Sequence, residues 1–244
     1  MSVEPSPSRE PAQWADERKR VYHVEEGYSS DDYYARIWVR HPASRYILEQ
    51  KWHLLERVLR DERIPVATLR MLDIGVGGGG DIPFFSRLGL AIDRIIGVDL
   101  VPNYLRRTKA SFPGIMLAEA TAARLPFAAG AFDFVYQSTV LSSIPAPELR
   151  AASLREIRRV LTPGGLFVSY DTRYPNPWNR NTRAVRLSEL RAAFQGWPLR
   201  VWSTTGIPHL LRLFAPYSLT ACRLLERIPF LRSHLLVAAR KPRN

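Results

Sequence analysis

The residues best suited to chemistry lie between Met71 and Asp81, where an apolar run, Met71-Leu-Asp-Ile74, meets five glycines in positions 75–80. Glycine is needed where a backbone takes positive φ or admits a ligand closer than a Cβ allows. A helix expected from about Asp81 to Leu88 would then point its unpaired N–H groups at whatever the turn holds. Strand, glycine turn and helix in this order read as a nucleotide-binding turn. Gly75, Gly77 and Gly80 also satisfy the dinucleotide fingerprint G-x-G-x-x-G, a weak signal by itself. Asp73 discriminates, because a carboxylate two places before the first glycine crowds a pyrophosphate but suits a ligand that carries an ammonium group.

A second acid, Asp99, closes the next apolar run, Ile95-Ile-Gly-Val-Asp99. In an open α/β sheet, ligands bind outside the carboxyl ends of the strands, where such an acid accepts hydrogen bonds from ribose hydroxyls. This spacing serves NAD as well as other nucleosides. Leu100 would add apolar contact to a base. Further on, the expected strand Leu166–Tyr170 delivers Asp171, Arg173, Asn176, Trp178 and Asn179 to the same side, in a loop carried by a rigid scaffold. Trp178 can stack on a sugar face while Arg173, Asn176 and Asn179 bond hydroxyls or a phosphate. Asp171 is the candidate general base for a hydroxyl. The plainer alternative is that Asp171 and Asn179 only hold the loop in shape.

Several elements must position these groups. Residues 1–20 combine prolines and charges with few apolar positions and read as a disordered tail. Residues 21–62 read as an N-terminal helical cap, in which Ile47, Leu48, Lys51, Leu54, Leu55, Val58 and Leu59 recur at helical spacing. The remaining residues, 63–244, form the sheet domain. It includes a helix Ala146–Leu161 stopped by Thr162-Pro-Gly-Gly165, an acceptor loop at 174–186 and a helical insertion at 207–229 before the last strand.

Asp73-x-Gly75-x-Gly77-x-Gly79 resembles motif I of the class I S-adenosylmethionine (SAM) methyltransferases. Ala120-Thr-Ala-Ala-Arg-Leu-Pro-Phe127 followed by Phe132-Asp-Phe-Val135 resembles their G-D-A-x-x-L-P-F and F-D-x-V pattern, and the Thr162-Pro-Gly-Gly165 turn is similar to theirs before the fifth strand. The resemblance implies an α/β, Rossmann-like fold with helices on both faces. Its seven-stranded sheet would be mostly parallel, with an antiparallel last strand. The implied cofactor is SAM, leaving S-adenosylhomocysteine, held by Asp73, Gly75, Gly77, Gly79, Asp99, Leu100, Thr121, Ala122 and Gln137. Thr121 stands where the family has Asp, so a hydroxyl or the backbone must meet the adenine amino group. Gln137 stands where metal-dependent relatives place a carboxylate, and magnesium needs oxygen ligands, so no metal is expected. Tyr33 and Arg36 belong to an aromatic segment that would close over the cofactor as a lid and reach the acceptor.

The segment Tyr170–Asn179 is similar to one in bacterial methyltransferases that accompany polysaccharide and glycolipid biosynthesis. The implied activity is O-methylation of a sugar or glycolipid hydroxyl, with the acceptor a small molecule or a glycan, lipid-linked or free. Alternatives are a natural-product methyltransferase, an RNA methyltransferase and a SAM-binding protein without turnover. The absence of an Asn-Pro-Pro-Tyr-like tetrapeptide after the fourth strand argues against nucleic acid as partner.

The 244 residues suffice for one sizeable core, and Cys222 is the only cysteine, which excludes an internal disulfide framework. With no membrane-spanning run, the expected location is the cytoplasm; a monomer or an oligomer would fit. Residues 151–244 hold 16 Lys/Arg against 4 Asp/Glu, which accounts for the whole net charge of +12. That basic end should face something anionic: a phosphate, the inner face of a membrane or RNA.

Overall fold

In a computed structural model, residues 16–24, 40–176, 179 and 181–243 are described. Seven strands form one sheet in the order β3-β2-β1-β4-β5-β7-β6: β1 Met71–Ile74, β2 Ile95–Asp99, β3 Met116–Glu119, β4 Phe132–Ser138, β5 Leu161–Thr172, β6 Leu199–Gly206 and β7 Arg232–Arg240. β1 to β5 run parallel, and β7 lies antiparallel between β5 and β6. The expected mostly parallel, seven-stranded α/β sheet is present. Strand order reverses between β1 and β4, which opens a crevice at the carboxyl ends of these strands, the usual ligand position in such sheets.

The helices are α1 over residues 16–24, α2 Pro42–Asp61, α3 Ile82–Arg87, α4 Pro102–Ser111, α5 Pro147–Val160, α6 Leu187–Ala193, α7 Pro208–Phe214 and α8 Leu219–Arg227. α2, α3, α4, α5, α7 and α8 each follow a cap residue, and five of these six carry proline in the first turn, where its missing N–H costs nothing. Residues 16–20 are thus helical, although they fall in the stretch whose composition reads as a tail.

Two apolar layers sandwich the sheet. One packs Leu55, Val58 and Leu59 of α2 with Phe84 and Phe85 of α3 against Met71, Tyr136, Val168 and Tyr170. The other packs Leu154 and Ile157 of α5 and Leu190 of α6 against Leu72, Ile74, Val135 and Phe167. β1 is buried along its whole length, as expected of a parallel strand covered on both faces. A polar residue in it therefore needs a partner or a ligand.

Candidate active site

The glycine turn is fastened from below. The amides of Gly75 and Val76 donate to the Val98 carbonyl at 2.8 and 3.0 Å, and the Thr108 hydroxyl donates to the Gly77 carbonyl at 2.6 Å. Gly75 has φ of +70°, and a Cβ there would stand 2.2 Å from Cγ2 of Val140, which follows β4. Only glycine lets the β1 and β4 ends approach this closely. The amides of Gly78 and Gly80 make no hydrogen bond with the described residues, and a Cβ on either would meet open space.

Asp73 is 4% exposed, and no described donor hydrogen-bonds its carboxylate. Burial, then the nearby Asp81 carboxylate, push its pKa well above the ordinary range, while Lys51 pulls the other way. An unpaired buried carboxylate is costly, and a ligand ammonium would relieve that cost. Asp99 accepts from the amides of Gly77 and Val101, both at 2.9 Å. Each oxygen keeps a lone pair for a ribose hydroxyl. Burial also raises the pKa of Asp99. Next to it, Leu100, Glu119, Ala120, Thr121, Arg124, Leu125, Pro126 and Arg18 line a hollow of about 370 Å³. The Thr121 hydroxyl accepts from the Ala123 amide at 3.2 Å, and Ala122 is buried. The structure thus gathers Asp73, Gly75, Gly77, Gly79, Asp99, Leu100 and Thr121 along one crevice.

α1 lies across that crevice. Arg20 donates to the Ser143 carbonyl at 2.6 Å, and the Tyr22 hydroxyl reaches Glu119 at 3.3 Å. A single helix thereby joins Glu119, in the lining of the hollow, to Ser143, which lies after β4 and outside that lining. Of the expected lid and acceptor residues, Tyr33, Arg36 and Trp178 lie outside the described residues.

Other expected site residues are engaged elsewhere. Gln137 is fully buried: its amide nitrogen donates to Ser169 and Asp171, and its carbonyl accepts from the Val140 amide at 2.9 Å. Asp171 is 2% exposed and accepts also from Ser169 Oγ at 3.0 Å and the Ser142 amide at 2.9 Å. Burial raises its pKa against those hydrogen bonds. Together Gln137 and Asp171 pin the segment after β4 to β5. Arg173 turns away toward the insertion, donating to Tyr174 and, at 2.9 Å, to the Pro229 carbonyl. Asn179 caps its own loop by accepting from the Asn181 amide at 3.0 Å, and its N–H donates to the Asn176 carbonyl at 3.1 Å. Arg150, fully buried, ties that loop down through the carbonyls of Ile144, Arg183 and Ala184 and through Glu189.

A polar cluster at the mouth was not expected as a site. Asp81 accepts from Lys51 Nζ at 2.7 Å, Trp52 Nε1 at 2.6 Å and the Tyr136 hydroxyl at 2.9 Å, and Lys51 also reaches Ser138 Oγ at 3.3 Å. These contacts, led by Lys51, hold Asp81 ionised despite its burial. Beside them His234 stacks on Tyr170 at 4.8 Å, and burial pushes its pKa down to about 3. One sequence signal pointed here: Lys51 falls on the apolar stripe of its helix, four residues after Ile47, and a lysine there requires a partner. Among the described residues there is no group of three or more His, Cys, Asp or Glu able to hold a metal ion.

Residues 72–169 match the family described as a methyltransferase domain. Over this stretch in sequence, and across the sheet in fold, the chain is similar to class I SAM-dependent methyltransferases. It is similar to an uncharacterized methyltransferase of Synechocystis, 31% identical over 45% of this chain and 50% of the relative. It is also similar to a demethylmenaquinone methyltransferase of Staphylococcus aureus, 30% identical over 49% of each chain. The match thus spans about half the length of these two relatives. A SAM-dependent methyltransferase of Mesorhizobium loti shares the fold at a TM-score of 0.55 and 21% identity, over 76% of this chain and 96% of that one. SAM is the cofactor of such domains, and the crevice fits it: a buried carboxylate without a hydrogen-bond donor among the described residues for the ammonium, Asp99 for the ribose and the Leu100–Thr121 hollow for the adenine.

Proposed function

We propose that the protein transfers a methyl group from SAM to a hydroxyl of a sugar or glycolipid intermediate. The observation that supports SAM chemistry is the buried Asp73 carboxylate beside the glycine turn, to which no described residue donates a hydrogen bond. Bound there, SAM supplies an electrophilic methyl group. In this reading Asp73 binds the ammonium group and Asp99 the ribose hydroxyls, while Leu100, Thr121 and Ala122 enclose the adenine. The amides of Gly78 and Gly80, which no described residue engages, are available to the carboxylate of the methionine part.

α1 closes the crevice through Arg20 and Tyr22 and excludes water. The acceptor enters over Gly75, Val140 and the polar mouth, bounded by the 174–186 loop. In-line transfer of this kind relies chiefly on proximity and orientation, with the acceptor's hydroxyl proton released to solvent on the acceptor side. Asp171 acts in this account as a positioning residue: by holding the Ser142 amide it sets the segment after β4, which faces the acceptor. Arg173 acts in this account through the insertion, which it holds by the Pro229 carbonyl at the edge of the acceptor side.

A second reading, a carbon or oxygen of an apolar ring compound as the acceptor, is favoured by the similarity to the demethylmenaquinone methyltransferase and by the apolar insertion beside the mouth. The test is to supply the protein with methyl-labelled SAM and an extract of its source cells, then separate glycan, lipid, small-molecule, RNA and protein fractions. Label in a nuclease-resistant glycan or glycolipid supports the first reading, and label in a sugar-free lipid supports the second. Label in RNA, or none despite SAM binding, contradicts both.

A further inference from the structure

Among the described residues, the segment from α7 through α8 to the turn Pro229–Leu231 carries most of the exposed large apolar side chains. Their inner face is complete: Leu211, Ala215 and Cys222 are buried against Ala43 and Tyr46 of α2. The core therefore does not need the outer set. Yet Leu213 is 61% exposed, Tyr217 87%, Leu224 53% and Phe230 69%, with Phe214, Leu219 and Ile228 also exposed. An apolar patch of this kind on a protein surface marks an interaction site.

Charge on this face has one sign. Among residues 207–231 the only acid is Glu226, and it points inward, accepting from the Tyr46 hydroxyl at 2.7 Å and the Gly206 amide at 2.8 Å. Arg223 and Arg227 of the same helix are exposed. The outer surface thus mixes leucine, phenylalanine and tyrosine with arginine and displays no carboxylate from the insertion. That is the composition of a surface which settles into the headgroup layer, apolar rings and chains inserted and cations held by lipid phosphates. No helix of the described residues is long and apolar enough to cross a membrane, so the contact would be one of lying on the surface.

We propose that the outward face of α7, α8 and the 229–231 turn docks on an anionic lipid bilayer. The inference goes beyond methyl transfer and is tested without it. The full chain would be sedimented with phosphatidylcholine vesicles, with and without phosphatidylglycerol, across a range of salt. Binding is expected to need the anionic lipid, to weaken with salt, and to fall at least about tenfold in Arg223→Glu/Arg227→Glu and in Tyr217→Glu/Phe230→Glu. SAM affinity, measured alongside, should be unchanged in all these variants and so confirm that they fold. Absence of vesicle binding, or binding indifferent to both pairs of substitutions, would overturn the proposal. So would a self-associated wild type that Tyr217→Glu/Phe230→Glu turns into monomers, since a second copy would then cover this face, or binding to RNA with equal strength.

Discussion

Lys51 Nζ stands 2.7 Å from Asp81 Oδ2, joining α2 to the residue that opens α3, beside the glycine turn. Both side chains are nearly excluded from water, at 8% and 10% exposure. Asp81 is also held by Trp52 and Tyr136. Removing one partner of such a pair leaves the other buried and charged, which costs about 3–5 kcal/mol. Lys51→Met should lower unfolding stability by that order in denaturant titration, and Lys51→Met/Asp81→Asn should recover part of the loss. A single variant as stable as wild type would show the pair to be open to water.

Asp73 should set how SAM binding responds to acid. Its carboxyl is pushed well above the ordinary range by burial and then by Asp81, and only the ionised form attracts an ammonium group. Affinity should therefore fall on acidification from neutral pH, starting at a higher pH than an ordinary aspartate would give. Asp73→Asn should bind at least about tenfold more weakly, with a flatter pH profile. Titration calorimetry across pH reads both effects.

Gly75→Ala should destabilise through two effects that can be separated. The residue has φ of +70°, which an alanine adopts only under strain, and the added methyl would collide with Val140. A loss of about 1–3 kcal/mol is expected from overpacking. Val140→Ala in the same chain should relieve the collision and leave the backbone strain. Thermal unfolding of the two variants gives the split, and no rescue would mean that the contact with Val140 is loose.

His234 predicts an acid-sensitive fold. Its pKa is lowered by burial, with help from the charge of Lys51, from 6.5 to about 3. The unfolded chain therefore takes up a proton that the folded one refuses. Stability from this group is complete above pH 6.5 and declines as pH falls toward 3, by at most about 1.4 kcal/mol per pH unit. His234→Gln should remove that slope. Urea titrations at several pH values would show it, and equal slopes in both proteins would place His234 in contact with solvent.

The cofactor half of the site was legible because its chemistry is local. Asp73 and its glycines are contiguous, and Asp99 ends its own strand, so composition and spacing alone carry them. The sheet followed from the same strands. Long-range placement was not legible. Gln137 and Asp171 look available in sequence, but Gln137 meets Ser169 and Asp171 across the β4–β5 pairing and Asp171 is taken by the Ser142 amide in the turn after β4, and neither contact is announced by spacing in the chain. Lys51 and Asp81 are thirty residues apart, and only the misfit of a lysine on an apolar stripe hinted at a partner.

Asp171→Asn separates holding from proton removal. As a positioning residue, Asp171 should tolerate the amide only partly: stability and acceptor KM should change, while the pH dependence of kcat stays that of wild type. A kcat that collapses and loses its acidic limb, with normal stability, would restore Asp171 as the base.

The central claim is that Asp73 and the glycine turn bind SAM. Titration calorimetry of the full chain with SAM, with S-adenosylhomocysteine and with NAD, repeated on Asp73→Ala, tests it most directly. The account predicts binding of the first two and not of NAD, and a loss of at least about tenfold in the variant. Binding of NAD in place of SAM, or SAM binding undiminished in Asp73→Ala, would contradict it.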